Sequence, residues 1–251
     1  DIGMLVFITV SVISTLAAAP YVKEAFWGNE GRHTGLFLLL LYVICFFIVS
    51  RYLEFKPHFI NAFLIVGFLI CLFGITDYFG MDILDFKEKM RDDQLLIFTS
   101  TIGNINTYTT FVGFVVSLSA TLYTLGDDQK KEDLIRSLKY FVCMAVGFAA
   151  LIMGRSDNGY LTAIMLFMCL PLLSLSSIDR LRRYFTILAT YMTVIKIIQL
   201  LEAVRPDKLN GIDGLFVHIA GLPFLNFIVF GLWALVAVIF TFEYRKTRIE
   251  K

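Results

Sequence analysis

Long apolar runs dominate the chain, and short clusters of charged residues separate them. Most of these runs are long enough to cross about 30 Å of hydrocarbon as a helix of roughly 20 residues. We therefore predict an all-α fold, a polytopic membrane helix bundle with about eight transmembrane helices in a single domain over residues 1–251. The predicted spans are residues 2–19, 35–50, 59–76, 105–125, 138–153, 159–175, 184–201 and 222–242.

The Lys and Arg residues between the predicted spans indicate an orientation. One alternate set of loops holds 13 of them and the other set holds 8. Because basic residues are retained on the cytoplasmic side, we expect the richer set and both termini to be cytoplasmic. The second, fourth, sixth and eighth helices then begin at the outer face, where a helix end carries partial positive charge and free N–H donors.

Composition narrows the possible partners. Hydrophobic residues make up 58% of the chain and charged residues 17%, against about 45–50% and about 25% in soluble domains. Membrane lipid is therefore an expected partner. A net charge of +1, with no basic patch interleaved with aromatics, argues against nucleic acid. The four cysteines lack metal-ligand spacing, so we expect no metal site and no cofactor.

Three polar stretches precede predicted outer helix starts. The first is Trp27–Gly35, which contains Arg32 and His33. An arginine above a helix N-terminus suits phosphate or pyrophosphate, which it binds through a bidentate fork. The alternative is an interfacial turn in which Trp27 lies at the membrane boundary and Arg32 extends its charge into water.

The second stretch is residues 99–110, in which nine of twelve side chains are polar or carry a hydroxyl. Asn104 or Asn106 can cap the following helix. The remaining polar groups are costly in lipid unless they face a cavity or another helix. We leave open a polar cavity for a hydroxylated ligand and a set of hydrogen bonds between helices.

The third stretch is the turn at residues 154–159, with Arg155, Asp157 and Asn158 at the membrane edge. It is a candidate anion site, or an Arg155–Asp157 pair with Asp157 as the helix cap. Lys196 is the only charged residue well inside a predicted span, and it either extends to the outer interface or faces a polar interior. His218 has the right chemistry for a general base, although a single interfacial histidine is more often structural.

Taken in order, these stretches resemble a family pattern over roughly residues 20–175. Residues 28–36 (GNEGRHTGL) resemble the G-x-x-x-R-x-x-G-L segment of bacterial O-antigen ligase and O-antigen polymerase-like membrane proteins. Residues 102–106 (IGNIN) resemble their G-N-P-N segment, with Ile105 in place of proline. Residues 153–161 (MGRSDNGYL) resemble their T-G-S-R-G-x-x-L turn, with Arg and Ser exchanged in order and Asp157 added.

The resemblance implies a fold like that of the C-type glycosyltransferase group, in the bacterial cytoplasmic membrane. It also implies metal-independent transfer of a glycan from an undecaprenyl-diphosphate carrier to a lipid or sugar acceptor at the outer face. The implied catalytic residues are Arg32, Arg155 and His218. The implied substrate-binding residues are His33, Asn104, Asn106, Asp157 and Asn158.

One departure from the family concerns its large outer loop late in the chain, where residues 202–214 form only a short loop here. The resemblance therefore implies either a shortened relative or a segment of a longer protein. A non-catalytic protein that binds a glycan-lipid or a partner is the second hypothesis. A transporter is the third, and it is the weakest, because we see neither an internal repeat nor a charge at the bilayer midplane.

Overall fold

A computed structural model describes residues 1–29, 33–88, 90–95, 97–126, 131–204 and 214–249. Within these residues the chain is helical apart from one two-stranded hairpin. The helices are α1 (Ile2–Ala17), α2 (Val22–Trp27), α3 (Leu36–Tyr52), α4 (Pro57–Tyr78), α5 (Asp92–Leu95), α6 (Ile105–Leu125), α7 (Lys131–Met153), α8 (Asp157–Ser174), α9 (Ile178–Val204), α10 (Leu215–Ala220) and α11 (Leu225–Ile249), and the strands are β1 (Phe98–Thr99) and β2 (Gly103–Asn104).

Six helices in the described part of the chain, α4, α6, α7, α8, α9 and α11, are long and apolar enough to cross a membrane. The prediction of an all-helical, multi-pass membrane protein is therefore confirmed. The first two predicted spans form apolar helices of 16 and 17 residues. At 1.5 Å per residue they are about 24 and 26 Å long, short of the roughly 30 Å hydrocarbon layer. The count of eight spans remains a prediction.

The chain divides into two compact units, residues 1–59 and 60–251. In the first unit, α1 and α2 pack against α3. The backbone closes tightly between α2 and α3, because a Cβ on Gly28 would overlap the Thr34 nitrogen and a Cβ on Gly35 would overlap the Phe26 carbonyl. Gly28 also has a φ of 85°, which glycine adopts without steric cost.

In the second unit, α6 packs against α7, α8 and α9, and α11 lies along α9. The buried face of α6 carries four fully buried side chains at four-residue spacing, the helical repeat of one face: Tyr108, Val112, Val116 and Ala120. Small residues allow close helix contacts, since a Cβ on Gly147 of α7 would lie 2.6 Å from a methyl carbon of Val116. Such small-residue contacts are the usual means of packing helices in membranes.

Long-range contacts fix the alternating direction of these six helices. At one end, the Asn106 end, the start of α6 meets the start of α8, and the end of α4 meets the end of α9. At the other, the Arg183 end, the start of α9 meets the end of α6, the start of α7 and the end of α11. Neighbouring spans therefore run in opposite directions, as the sequence predicted.

At the Arg183 end, α9 begins six residues earlier than the predicted span, and this extension contains a buried arginine. Arg183 is fully buried, and its guanidinium bonds Asp179 at 3.0 Å, the Tyr123 carbonyl at 2.7 Å and the Ser137 hydroxyl at 2.8 Å. The neighbouring Arg182 bonds Asp179 and Glu243. Mutual neutralisation and hydrogen bonding allow these charges to remain within the helix.

A short hairpin sets the position at which α6 begins. Ser100, at the turn between β1 and β2, donates its backbone N–H to Asp77 at the end of α4 and its hydroxyl to the Ile70 carbonyl at 3.0 Å. Lys87 also pairs with Asp77 at 2.7 Å. These bonds hold the hairpin against α4, so that β2 delivers Asn104 directly to the first turn of α6.

Candidate functional site

The site begins where the N-terminal ends of α6 and α8 meet. The hydroxyl of Ser156 donates to Asn106 Oδ1 at 2.8 Å. The amide of Asn158 donates to the Asn106 carbonyl at 3.1 Å and to the Thr110 hydroxyl at 3.2 Å. Two of the three polar stretches are therefore joined by side-chain bonds, and Asn106 and Asn158, both predicted to bind substrate, are in direct contact.

Capping residues occupy the backbone donors at both helix starts. Asn104 Oδ1 accepts from the backbone N–H groups of Asn106 and Thr107 at 3.0 and 3.2 Å, which confirms asparagine capping of α6. Ser156 caps α8 by accepting from the Asn158 N–H at 3.4 Å. The alternative in which Asp157 caps this helix is wrong, because Asp157 is its first residue. These caps satisfy two backbone donors at the start of α6 and one at the start of α8, which are donors that an anion could otherwise bind.

A groove runs between α6 and α8 from this polar junction. Its first part is an open cavity of about 400 Å³ with polar side chains from both helices, and a second cavity of about 230 Å³ continues from it through Thr110 and Phe114. The second cavity is lined mainly by Leu161, Thr162 and Met165 of α8 and by Gly113 and Ser117 of α6. The groove thus carries its amides at the Asn106 end, and hydroxyls and apolar side chains along its whole length. Asn104 does not line it and lies instead in a separate hollow beside β1.

Arg155 directly precedes Ser156 in the turn between α7 and α8. Its φ is 48°, a region that non-glycine residues rarely adopt and that is common where side chains are held for function. The guanidinium interacts electrostatically with the Tyr78 hydroxyl, which donates a 2.8 Å hydrogen bond to Glu202 at the end of α9. The phenol of α4 and the carboxylate of α9 are therefore in contact, and the cation of the α7–α8 turn acts on the phenol through space.

This group of residues, which we name the Glu202 cluster (Tyr78, Arg155 and Glu202), was only partly predicted. Arg155 was named from sequence, whereas Glu202 and Tyr78 were not. The available signal was that Glu202 follows an 18-residue stretch of α9, residues 184–201, whose single charged residue is Lys196. Membrane-edge carboxylates of this kind are candidate functional groups, but their partners cannot be identified from spacing alone.

Lys196 and His218 lie on neighbouring elements. The Lys196 ammonium donates to Gln199 Oε1 at 2.7 Å, and the Gln199 amide donates to the Ala220 carbonyl at 2.6 Å. Lys196 therefore faces a polar partner within the bundle. His218 is exposed on α10, and no hydrogen bond joins it to another described residue. Neither Arg155 nor Glu202 contacts His218 in the described structure.

The remaining predicted residues are dispersed. His33 lies in the first unit, where it is exposed with a φ of 48°. Arg32 lies outside the described residues. Asp157 is exposed on the first turn of α8 and forms no ion pair within the described part of the chain. The suggested Arg155–Asp157 ion pair is therefore not formed in the described structure.

Comparisons of this chain with protein-family models, with curated proteins and with solved structures gave no match. Among the described residues, no three histidine, cysteine or acidic side chains come together as a potential metal site. The site combines one guanidinium, one hydrogen-bonded carboxylate and a groove lined by amide, hydroxyl and apolar side chains.

Proposed function

We propose that this protein transfers a glycan from an undecaprenyl-diphosphate carrier to a lipid or sugar acceptor at the extracytoplasmic face of a bacterial cytoplasmic membrane. The observation that carries this proposal is the Tyr78–Glu202 hydrogen bond, with Arg155 acting electrostatically on the same phenol, together with a groove that offers amides and hydroxyls among apolar side chains. Such a donor has an anionic diphosphate, a hydroxyl-rich glycan and an isoprenoid tail. Each of these parts has a chemically matched region at the Asn106 end.

In the proposed reaction, Glu202 accepts the proton of the acceptor hydroxyl as that oxygen attacks the anomeric carbon. The new bond between carbon and acceptor oxygen forms while the bond from that carbon to the diphosphate oxygen breaks. The leaving diphosphate keeps the bonding electron pair, and Arg155 stabilises its charge. Asn106, Thr110 and Asn158 supply hydrogen-bonding groups for sugar hydroxyls.

The same proposal includes a topology. The Asn106 end is extracytoplasmic, the Arg183 end and both termini are cytoplasmic, and α1 and α3 complete about eight spans by crossing with local thinning of the bilayer. The apolar composition of α1 and α3 supports this count. Arg32 and His33, which follow α2, are then on the same side of the membrane as Arg155.

A second candidate is a non-catalytic protein of the same scaffold that binds a glycan-lipid. It is favoured by the mutual hydrogen bonds of Asn106, Ser156 and Asn158, which build a stable polar surface without any reactive group. The two candidates differ only in whether Glu202 acts on a bound acceptor. They can therefore be separated by measuring binding and turnover on one preparation.

The experiment is to incubate the full chain in nanodiscs with a fluorescent oligosaccharide on undecaprenyl diphosphate and a mixture of lipid and sugar acceptors. The proposal predicts labelled acceptor together with an equal amount of free undecaprenyl diphosphate. Donor binding without product would support the non-catalytic candidate. An absence of both binding and product would contradict both candidates.

A further inference from the structure

A second groove lies between α4 and α7, away from the Asn106 end. It encloses about 430 Å³, which is within the range of about 300–1,000 Å³ typical of small-molecule sites. Its floor is formed by Leu64 and Cys143, which are buried where the Cys143 thiol contacts the Leu64 carbonyl at 3.7 Å. Its walls are exposed, because Ile65 and Leu138 are 58% and 59% accessible. The groove therefore has a buried floor and exposed walls.

The groove is apolar along its length and polar at one end. Between Ile60 and Thr76 of α4, and between Tyr140 and Met153 of α7, there is no charged residue. Lys139 lines the groove, and its ammonium donates to Asn61 Oδ1 at 2.6 Å and lies 4.9 Å from the centre of the Tyr140 ring. This pair forms the polar end of the groove.

The charge of Lys139 is not neutralised by the surrounding structure. Its bond to Asn61 is with a neutral amide, and no described carboxylate pairs with it. The nearest basic neighbour on α7, Arg136, already pairs with Asp133 at 3.3 Å. A cation at the mouth of an apolar groove complements a molecule with an anionic head and a hydrocarbon chain.

We propose that the groove between α4 and α7 binds an anionic phospholipid, with one acyl chain against Leu64 and Cys143 and its phosphate against Lys139. The occupant is a lipid of the bilayer, because the walls of the groove open to the lipid-facing side of two membrane-spanning helices. In the proposed topology Lys139 is on the cytoplasmic side, where anionic lipids are abundant. The site is independent of the transfer reaction proposed above.

The test is native mass spectrometry of the full chain after exchange into equal amounts of phosphatidylglycerol and phosphatidylethanolamine. We expect retained adducts to favour phosphatidylglycerol. Lys139→Gln should lower this preference about fivefold, the contribution of one basic side chain at an anionic surface. Lys139→Arg should preserve it.

Two further variants keep the result interpretable. Arg180→Gln removes a charge at the same end of the bundle, from a side chain that bonds only Ser176 among described side chains, and should leave the preference unchanged. Leu138→Trp fills the groove and should reduce retention of both lipids. The proposal is overturned if the wild-type chain shows no preference, if Lys139→Gln retains it, or if Arg180→Gln lowers it equally.

Discussion

The Tyr78 hydroxyl donates a 2.8 Å hydrogen bond to Glu202 Oε1 across 124 residues of sequence. Tyr78 is only 2% exposed, so its phenol has a fixed position and holds the carboxylate in one orientation. Within the described part of the chain it is the one donor to Glu202. The carboxylate is therefore oriented while it keeps capacity to accept a proton from a substrate hydroxyl.

Replacement of Glu202 should lower the rate of glycan transfer without changing the binding of the carrier. We expect Glu202→Gln to lower the rate of glycan transfer by about 10²–10⁴-fold, the usual contribution of a general base. Binding of undecaprenyl diphosphate should be unchanged, because the amide preserves the shape of the side chain and its bond with Tyr78. Single-turnover transfer in nanodiscs measures the rate, and carrier binding is measured on the same preparation.

Tyr78→Phe is the companion variant. It leaves the carboxylate in place and removes only its orienting bond, so the loss in rate should be smaller than for Glu202→Gln. If both variants transferred glycan at the wild-type rate, Glu202 would not be the base.

Arg183 should contribute strongly to stability at the opposite end of the bundle. Arg183→Met would leave Asp179 without one of its two cationic partners and would remove bonds to Tyr123 and Ser137. Breaking a buried pair in this way costs about 3–5 kcal/mol. We expect that loss in the free energy of unfolding, measured by denaturant titration in mixed micelles.

The matched control is Arg180→Met, the same chemical change one turn earlier. Arg180 bonds the Ser176 hydroxyl at 2.8 Å at the surface, so the loss should be less than about 1 kcal/mol. Equal losses for the two variants would contradict a special role for the buried arginine.

Gly74 permits the close contact between α4 and α6. A Cβ at this position would overlap the hydroxyl of Tyr108, which is fully buried. Gly74→Ala should therefore force the helices apart and lower the free energy of unfolding by about 1–3 kcal/mol. The control is Gly231→Ala in α11, where no described atom lies within 4 Å of the added carbon. This variant should leave the free energy of unfolding unchanged. If Gly74→Ala left the free energy of unfolding unchanged, α4 would not pack against α6 as described.

Hydrophobic patterning predicted the long helices well, because crossing hydrocarbon demands uninterrupted apolar sequence. Residue type predicted an asparagine cap for α6, at Asn104 or Asn106, and Asn104 is the one that forms it, a local interaction readable from adjacent residues. Hydrophobic patterning assigned Arg183 to a loop, because charges usually end a span, whereas Asp179 and Arg182 sustain the helix around it. The bonds of Ser156 with Asn106 and of Tyr78 with Glu202 join distant residues, and no sequence period encodes them.

Labelling can determine the orientation of the chain. With Cys45, Cys71, Cys143 and Cys169 replaced by alanine, Glu88→Cys should react with a membrane-impermeant maleimide in intact cells. Arg180→Cys should react only after permeabilisation, because the two residues belong to loops on opposite sides in the proposed topology. The reverse labelling pattern would invert the topology and place the Asn106 end in the cytoplasm.

The most direct measurement is the affinity of the purified chain for undecaprenyl diphosphate without a glycan. Arg155→Gln should weaken binding by about 10–100-fold, the value of hydrogen bonds to a charged group. Arg155→Lys should give an intermediate loss, because an ammonium keeps the charge without the bidentate fork. Arg180→Gln should bind as the wild type does. Wild-type affinity in Arg155→Gln would contradict the central claim that Arg155 holds the diphosphate.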